Sequence, residues 1–182
     1  MSLTYAILAT LADRPSSGYD IAKQFDCSVG LFWQATHQQI YRELTKLEEQ
    51  GEISAEIIFQ EGRPNKKLYS LTKPGLQKMT DWIAQPCKPS PTKDELLVKL
   101  LAGYLVDPHI LVTELKRHRQ LHQVNLSVYQ DSEQQYFQNP QQLPIKTKFR
   151  YLILRRWVRY ENDWLAWCEE AIKLLTADAP SP

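Results

Sequence analysis

The stretch Thr36-His37-Gln38-Gln39-Ile40-Tyr41-Arg42-Glu43-Leu44-Thr45-Lys46-Leu47-Glu48-Glu49-Gln50-Gly51 determines the fold class, because its pattern predicts a helix with one buried and one exposed side. Its apolar residues follow the i, i+4, i+7 spacing of a single helix face: Ile40, Leu44 and Leu47. Thr36 followed three residues later by Gln39 is the signature of a capping box, in which a hydroxyl and an amide satisfy backbone groups at a helix start. Gly51 stands where a helix commonly ends.

The other side of this predicted helix carries side chains suited to DNA recognition. Gln38, Gln39 and Arg42 belong to the residue types that make paired hydrogen bonds to purine edges in the major groove. Tyr41 is able to reach a phosphate or a thymine methyl group, and Lys46 is able to neutralise a phosphate. An ordinary amphipathic surface helix has the same spacing, so this stretch alone leaves both interpretations open.

Two shorter helices precede this stretch and complete a helix-turn-helix arrangement. Leu3 to Asp13 is nearly all apolar and predicts a buried first helix, which ends at the break from Arg14 to Gly18. Ser17 begins a second helix, which extends from Gly18 to about Phe25. The apolar segment from Cys27 to Trp33 forms the turn, and we expect its large side chains to fill the helix junction.

A basic hairpin is predicted after Gly51, where the helical period gives way to alternation. Ile53 to Gln60 and Leu68 to Leu71 predict two short strands, joined by a turn rich in Gly, Pro and Asn. The turn carries three basic residues that would reach a phosphate strand beside a groove: Arg63, Lys66 and Lys67. A solvated hairpin tip is the alternative explanation for this cluster. A fourth helix is predicted from Thr72 to about Gln85.

The charge balance gives no support to a nucleic-acid partner. The 182-residue chain has 22 Lys and Arg against 21 Asp and Glu, for a formal net charge of +1. Residues 1 to 86 contain nine basic and ten acidic residues. Because phosphate neutralisation dominates non-specific DNA affinity, this balance favours a protein-interaction module unless basic residues cluster on one face and two copies bind together.

Composition and motifs argue against several other classes of protein. With 43% hydrophobic and 24% charged residues, the sequence has no apolar run long enough to span a bilayer and no basic leader, so we expect a cytoplasmic protein without a membrane partner. Cys27, Cys87 and Cys168 are widely spaced and form no CxxC pattern, which argues against disulfides or a zinc site. The sequence contains no nucleophile, phosphate-loop or dinucleotide-binding motif, so we expect neither an enzyme nor a cofactor.

A proline-dense linker, residues 86 to 91, divides the sequence into a first domain of residues 1 to 85 and a second of residues 92 to 178. The second domain is predicted to be helical. Thr92-Lys93-Asp94-Glu95 has the pattern of another capping box and opens a helix that includes Tyr104. Asp107 and Pro108 begin a long helix that extends to about Phe137, because Asp caps helices well and Pro is favoured at the first helical position.

The last helix, from Ile145 to about Thr176, has two apolar stripes on nearly opposite sides. One stripe contains aromatic residues at positions 149, 160, 164 and 167, and the other is aliphatic. A helix that is apolar on two sides needs two partners, so we predict a homodimer through this helix. The predicted interface residues are Leu154, Val158, Leu165, Ile172, Trp164 and Trp167. A monomeric three-helix bundle is the alternative.

Two histidines of the preceding helix need separate consideration. Glu114, His118 and His122 lie on one helix face, but the HExxH context of zinc enzymes is absent, so an interface or hydrogen-bonded seam explains them better than a metal. The tyrosines and tryptophans of the last helix suit either a core or a pocket for a small aromatic effector, and both remain open.

The first domain resembles the PadR family of bacterial winged-helix transcriptional regulators, in both the order and the spacing of its motifs. The matching residues are Trp33, His37 to Leu44, Leu47, Glu48, Gly51, Gln60 to Pro64, Lys66, Lys67, Tyr69 to Thr72, Gly75 and Trp82. The resemblance covers residues 1 to about 85 almost continuously. The second domain resembles the virulence-activator type of PadR C-terminal domain, which implies dimerisation.

The resemblance implies a mainly α-helical protein, in which a winged helix-turn-helix domain with a small β-hairpin wing precedes a long-helix dimerisation domain. It implies a homodimer that binds a pseudo-palindromic operator in double-stranded DNA, with the helix after Thr36 in the major groove, and it favours a repressor. The alternatives are a protein-interaction module on a winged-helix scaffold and a regulator that senses a small aromatic molecule.

Overall fold

The computed structural model describes residues 3–26, 33–59, 62, 65–88 and 93–177. The chain divides into two compact units, Met1–Ser90 and Pro91–Pro182. Most of the predicted turn from Cys27 to Trp33 and the basic residue Arg63 lie outside the described residues. In the part of the chain that the structure describes, no helix is both long and apolar enough to cross a membrane.

Within its described residues, the first unit combines four helices with a small antiparallel sheet. Its elements are α1 (Leu3–Asp13), β1 (Ser16–Ser17), α2 (Gly18–Asp26), α3 (His37–Glu49), β2 (Ile53–Ile58), β3 (Lys66–Leu71) and α4 (Lys73–Ile83). The predicted hairpin is present as β2 and β3, paired from Ile53 opposite Leu71 to Ile58 opposite Lys66. The winged helix-turn-helix prediction is confirmed.

One strand of the sheet was not predicted. Ser16 and Ser17, which the sequence analysis assigned to a helix break, form β1 and pair with Tyr69 and Leu68 of β3. The sheet therefore has three strands in the order β1-β3-β2. Ser17 also exchanges hydrogen bonds with Asp20, so the same residue ends the strand and caps α2 as predicted.

Capping and packing both fix α3 in place. Thr36 Oγ1 accepts a hydrogen bond from the backbone amide of Gln39, and Gln39 Oε1 accepts one from the amide of Thr36, so the predicted capping box is present. Gly51, the residue after the C-cap Gln50, has φ +69°, a left-handed conformation that favours glycine. The three residues of the predicted stripe are fully buried: Ile40, Leu44 and Leu47.

The first unit has a continuous apolar core. Side chains from all four helices and from strands β2 and β3 meet in it: Ile7, Leu8, Leu11, Ile21, Ala22, Phe25, Ile40, Leu44, Leu47, Ile53, Tyr69 and Met79. Tyr5 of α1 stacks on Trp82 of α4 with 4.4 Å between ring centroids. This core leaves the outer face of α3 facing solvent.

The second unit consists of α5 (Glu95–Leu101), α6 (Pro108–Tyr136) and α7 (Ile145–Ala177). Asp107 caps α6 as predicted, with its carboxylate accepting from the amide of His109. The prediction for α5 was wrong in two details. Its N-cap is Asp94, whose carboxylate accepts from the amide of Leu96, and it ends at Leu101, so Tyr104 lies in a separate 3₁₀ turn.

Helices α6 and α7 pack antiparallel along their length. Near one end, Arg155 of α7 forms an ion pair with Glu133 of α6 at 3.0 Å. Toward the other end, Trp164 of α7 stacks on His122 of α6 with 4.7 Å between ring centroids. The core beside the contact between α6 and α7 is small. Leu96, Leu115 and Cys168 are buried there, and Trp164, Trp167 and Ile172 are among the residues packed against them.

Candidate nucleic-acid interface

The outer face of α3 is exposed where the sequence predicts DNA contacts. Gln38 and Arg42 are exposed, and within the described residues neither side chain forms a hydrogen bond or an ion pair. Gln39 is also exposed, but its side-chain oxygen is already an acceptor in the capping box. Arg42 therefore has its full set of guanidinium donors available, whereas Gln39 has only its amide NH₂ group to offer.

Tyr41 is held in position by close contact with α2. A Cβ atom at Gly18 would lie only 2.5 Å from the Tyr41 ring, so glycine permits the close approach of the two helices. Tyr41 remains 45% exposed and lines an open groove between α3 and the wing. The other residues that line the groove are Ser17, Gly18, Tyr19, Asn65, Lys66, Lys67 and Tyr69. Tyr41 of α3 and the wing lysines Lys66 and Lys67 therefore line the same groove.

The wing lysines are paired with carboxylates from the helices of the same unit. Lys66 Nζ lies 2.9 Å from Asp20 Oδ2 of α2. Hydrogen bonds from Ser17 and from Lys66 lower the pKa of Asp20, so this carboxylate is ionised at neutral pH.

Lys67 has a similar partner on α3. Its Nζ lies 2.6 Å from Glu48 Oε2, and a hydrogen bond from Lys67 to this carboxylate raises the pKa of the lysine. The same ammonium group lies 5.3 Å from the ring centroid of the buried Tyr69, whose own pKa is raised by burial. Lys67 thus lies where the wing meets α3.

Lys46 is tied to its own helix. Its Nζ lies 3.6 Å from Glu43 Oε1, and the Thr4 hydroxyl of α1 donates a hydrogen bond to the same carboxylate. Three of the predicted phosphate contacts, Lys46, Lys66 and Lys67, therefore have acidic partners within the protein. Their assignment to DNA remains a prediction.

Sequence reasoning did not single out Asp20 and Glu48. Asp20 is 46 positions from Lys66 and Glu48 is 19 positions from Lys67, so no local motif links them. The only signal was the near balance of acidic and basic residues in the first half of the sequence. In the structure, two of those ten acidic residues lie directly against the wing lysines.

The six residues predicted for the dimer interface lie along α7, where the second unit already has internal contacts. Val158 is buried and Leu154 and Leu165 are half-buried. Trp164, Trp167 and Ile172 pack against the small core beside α5 and α6. Their place in an interface between two copies remains a prediction, and other apolar residues of this unit are more exposed.

Two such exposed sets follow a helical spacing. The α7 stripe consists of Ile145, Phe149 and Leu152, all more than 60% exposed. The α6 stripe consists of Leu121, Val124 and Val128. Each set lies on one face of its helix.

His118 and His122 of α6 face α7, and His122 belongs to a polar seam between the two helices. His122 Nδ1 lies 2.5 Å from Glu161 Oε2, and Asn125 Nδ2 lies 3.4 Å from Glu161 Oε1. Glu161 is only 2% exposed, so its partners offset the cost of burying a carboxylate. Glu114 is bound by Arg117 at 2.7 Å and also lies 3.4 Å from His118 Nε2. Among the described residues, no group of three or more His, Cys, Asp or Glu side chains is arranged to hold a metal ion.

Comparison with known families accounts for both units. Residues 7–81 match the model of the transcriptional regulator PadR-like family, and residues 92–176 match the model of the virulence activator alpha C-terminal region. These matches confirm the resemblance that the sequence motifs indicated.

Similar proteins match over almost the entire chain. A probable transcriptional regulator of Mycobacterium tuberculosis is 36% identical over 96% of this chain and 98% of its own. The negative transcriptional regulator PadR of Bacillus subtilis is 32% identical over 97% of this chain and 98% of its own.

Solved structures of relatives have the same fold. The crystal structure of B. subtilis PadR with operator DNA has a TM-score of 0.84 at 29% identity, covering 95% of this chain and 98% of that one. The structure of the same protein with p-coumaric acid has a TM-score of 0.75 at 28% identity, with coverage of 95% and 94%. The Vibrio cholerae virulence activator AphA has a TM-score of 0.78 at 33% identity, with coverage of 98% and 100%.

Proposed function

The chain belongs to the PadR-like family of DNA-binding transcriptional regulators, and on this premise we propose that it is a repressor that binds a pseudo-palindromic operator as a homodimer. The observation that carries the proposal is the exposed outer face of α3, with Arg42 unpaired among the described residues, beside a wing that presents two lysines. The operator complex of B. subtilis PadR supports the same use of the fold. Repression is supported by the same relative, which is a negative transcriptional regulator.

We assign base recognition to α3 and backbone contact to the wing. Gln38 and Arg42 would face base edges in the major groove, and Gln39 would contribute mainly by fixing the start of α3. Tyr41, Lys46, Arg63, Lys66 and Lys67 would position the protein on phosphates. The first unit is then the DNA-binding domain, acting on DNA in the cytoplasm.

We assign dimerisation to the second unit. The exposed apolar residues of α6 and α7 form continuous stripes. Single apolar residues scattered over a surface are ordinary, whereas a continuous apolar stripe is typical of an interface. Of the residues predicted from the sequence, the half-buried Leu154 and Leu165 would extend an interface centred on these stripes. A two-fold dimer would present two α3 helices to two half-sites.

Fluorescence anisotropy of the full chain tests the DNA assignment. A labelled fragment from upstream of the protein's own gene is titrated at low and moderate salt, with unlabelled random DNA as competitor. Binding that survives the competitor and weakens steeply with salt is expected. Failure to bind either DNA at low salt would contradict the proposal and favour the protein-interaction alternative.

Two variants test the division of contacts. Arg42→Ala should lose discrimination between the best sequence and random DNA, because its paired hydrogen bonds to a base are worth about 1 to 3 kcal/mol. Lys67→Ala should weaken binding to all sequences alike and flatten the salt dependence by at most about one phosphate contact. The same loss of both properties in the two variants would contradict the assignment.

A second candidate function is a response to a small aromatic molecule. B. subtilis PadR has been crystallised with p-coumaric acid, and the second unit of this chain contains a cluster of aromatic rings around Trp164. If the chain has this property, p-coumaric acid should shift its tryptophan fluorescence and release it from DNA. A fluorescence shift without release would indicate binding with no regulatory effect, and no shift would exclude p-coumaric acid as the effector.

A further inference from the structure

We infer that Asp20 and Glu48 limit the affinity of this protein for DNA of any sequence, because they compete with phosphate groups for Lys66 and Lys67. This inference rests on the proposed function. It concerns the two carboxylates, which that function does not otherwise use.

The geometry brings each carboxylate to one wing lysine. Asp20 on α2 lies 2.9 Å from Lys66, and Glu48 on α3 lies 2.6 Å from Lys67. Both lysines also line the groove that contains Tyr41 of α3. The acidic residues therefore occupy the same ammonium groups that would meet the DNA backbone.

The exposure of these pairs makes them exchangeable. The side chains of Lys66 and Asp20 are 40% and 39% exposed, and those of Lys67 and Glu48 are 47% and 34% exposed. Ion pairs at such positions are worth little in water, so a phosphate is able to replace the carboxylate. A phosphate gains less binding free energy from a paired lysine than from an unpaired one. One ion pair is lost as another forms, and the freed carboxylate stays near the DNA and repels it.

The consequence differs between operator and random DNA. Non-specific binding depends almost entirely on phosphate contacts and their release of counterions. The operator adds base contacts from α3, which offset the competition at the wing. A lower affinity for all sequences therefore releases the protein from random DNA while the operator stays occupied. The acidic residues of the first half would then serve to limit non-specific binding.

The test compares two charge-neutralising substitutions with a matched control. Asp20→Asn and Glu48→Gln each release one lysine, whereas Glu49→Gln removes the same charge from the next position of α3, where no lysine is paired among the described residues. The full-length proteins are titrated with a labelled duplex of scrambled sequence over a range of salt concentrations. Circular dichroism checks that each variant is folded.

We expect Asp20→Asn and Glu48→Gln to bind scrambled DNA about two- to five-fold more tightly than the parent, with the salt dependence steeper by part of one phosphate contact. Glu49→Gln should show a smaller gain and an unchanged salt dependence. In a Lys67→Met background, Glu48→Gln should gain no more than Glu49→Gln does, because the competition needs both partners.

Weaker binding by Asp20→Asn and Glu48→Gln would overturn the inference, since it would mean that the carboxylates position the lysines for DNA. Equal gains for Glu48→Gln and Glu49→Gln would also overturn it, because general charge would then explain the effect. Parent protein that binds neither scrambled nor upstream DNA would contradict the proposed function as well, which separates the two failures.

Discussion

The two units differ in how they use their apolar residues. In the first unit, helices and strands surround one continuous core, and only a few large apolar side chains are exposed. The second unit has about as many residues, yet its buried clusters are small and most of the exposed large apolar side chains of the described chain lie on it. The first unit therefore has the core of a self-sufficient domain, whereas the second has apolar faces that a second copy would cover.

The interiors also differ in polarity. The core of the first unit is apolar, and the ion pairs of its wing lysines are partly exposed, so ligands are able to exchange them. The seam between α6 and α7 contains a buried carboxylate, Glu161, bound by His122 and Asn125. We infer that surface pairs in the first unit adjust affinity, whereas the buried pair in the second unit fixes the register of two long helices.

The largest expected effect is on the seam. His122→Ala removes the main partner of Glu161 and the ring that stacks on Trp164, so it should lower the free energy of unfolding by about 3 to 5 kcal/mol. Chemical denaturation followed by tryptophan fluorescence measures this change. His109→Ala, at an exposed position near the start of α6, is the control and should have little effect. A His122→Ala protein as stable as this control would show that the pair does not stabilise the seam.

In the first unit, a smaller but still large loss is expected from Leu44→Ala. Leu44 is fully buried, and its truncation leaves a cavity that should cost about 2 to 4 kcal/mol. DNA binding should fall at temperatures where the second unit remains folded. The matched substitution Leu76→Ala, at a side chain 54% exposed, should change stability by less than about 1 kcal/mol. Similar losses in the two variants would contradict the view that a single core holds α3.

A substitution in the exposed apolar stripe of α7 should weaken dimerisation without affecting folding. Leu152→Glu places a charge in the α7 stripe, and we expect about tenfold weaker dimerisation with nearly unchanged helix content. Sedimentation velocity over a concentration series measures the dissociation constant. Glu169→Lys, exposed on α7 but off the stripe, is the control. An unchanged dissociation constant for Leu152→Glu would place the interface elsewhere.

The smallest effect concerns pH and an exposed pair on α6. Arg117 donates hydrogen bonds to Glu114 and lowers the pKa of that carboxyl to about 2. Because the pKa in the folded protein lies below the unfolded value, the stabilisation is complete above about pH 4.5 and is lost as the pH falls through about 2. An NMR titration of Glu114 should show this low pKa, and Arg117→Gln should return it toward the ordinary value. An ordinary pKa in the parent protein would show that the pair does not persist in solution.

The winged helix could be predicted from the sequence because its features depend on short-range patterns. The apolar spacing of α3, its capping box, Gly51 and the alternating hairpin all depend on residues close together in the chain. Strand β1 was not predicted, because two residues have no period and their pairing depends on distant Tyr69 and Leu68.

The contacts that adjust the candidate site depend on the tertiary fold. The pairing of the wing lysines with Asp20 and Glu48 joins separate elements, and only the folded chain brings them together. The same holds for the second unit: the stacking of Trp164 on His122 joins two helices and could not be predicted from the sequence, and the place of Trp164 in an interface remains a prediction.

Selection from a random DNA library tests the proposed mode of action most directly. The full-length protein is incubated with random duplexes at moderate salt, bound duplexes are amplified and sequenced, and the winning sequence is footprinted. An inverted repeat is expected, with half-sites about one helical turn apart and two protomers on each duplex. The Arg42→Ala protein should fail to enrich it. No enriched motif, or a single asymmetric site occupied by one protomer, would contradict recognition by a dimer through α3.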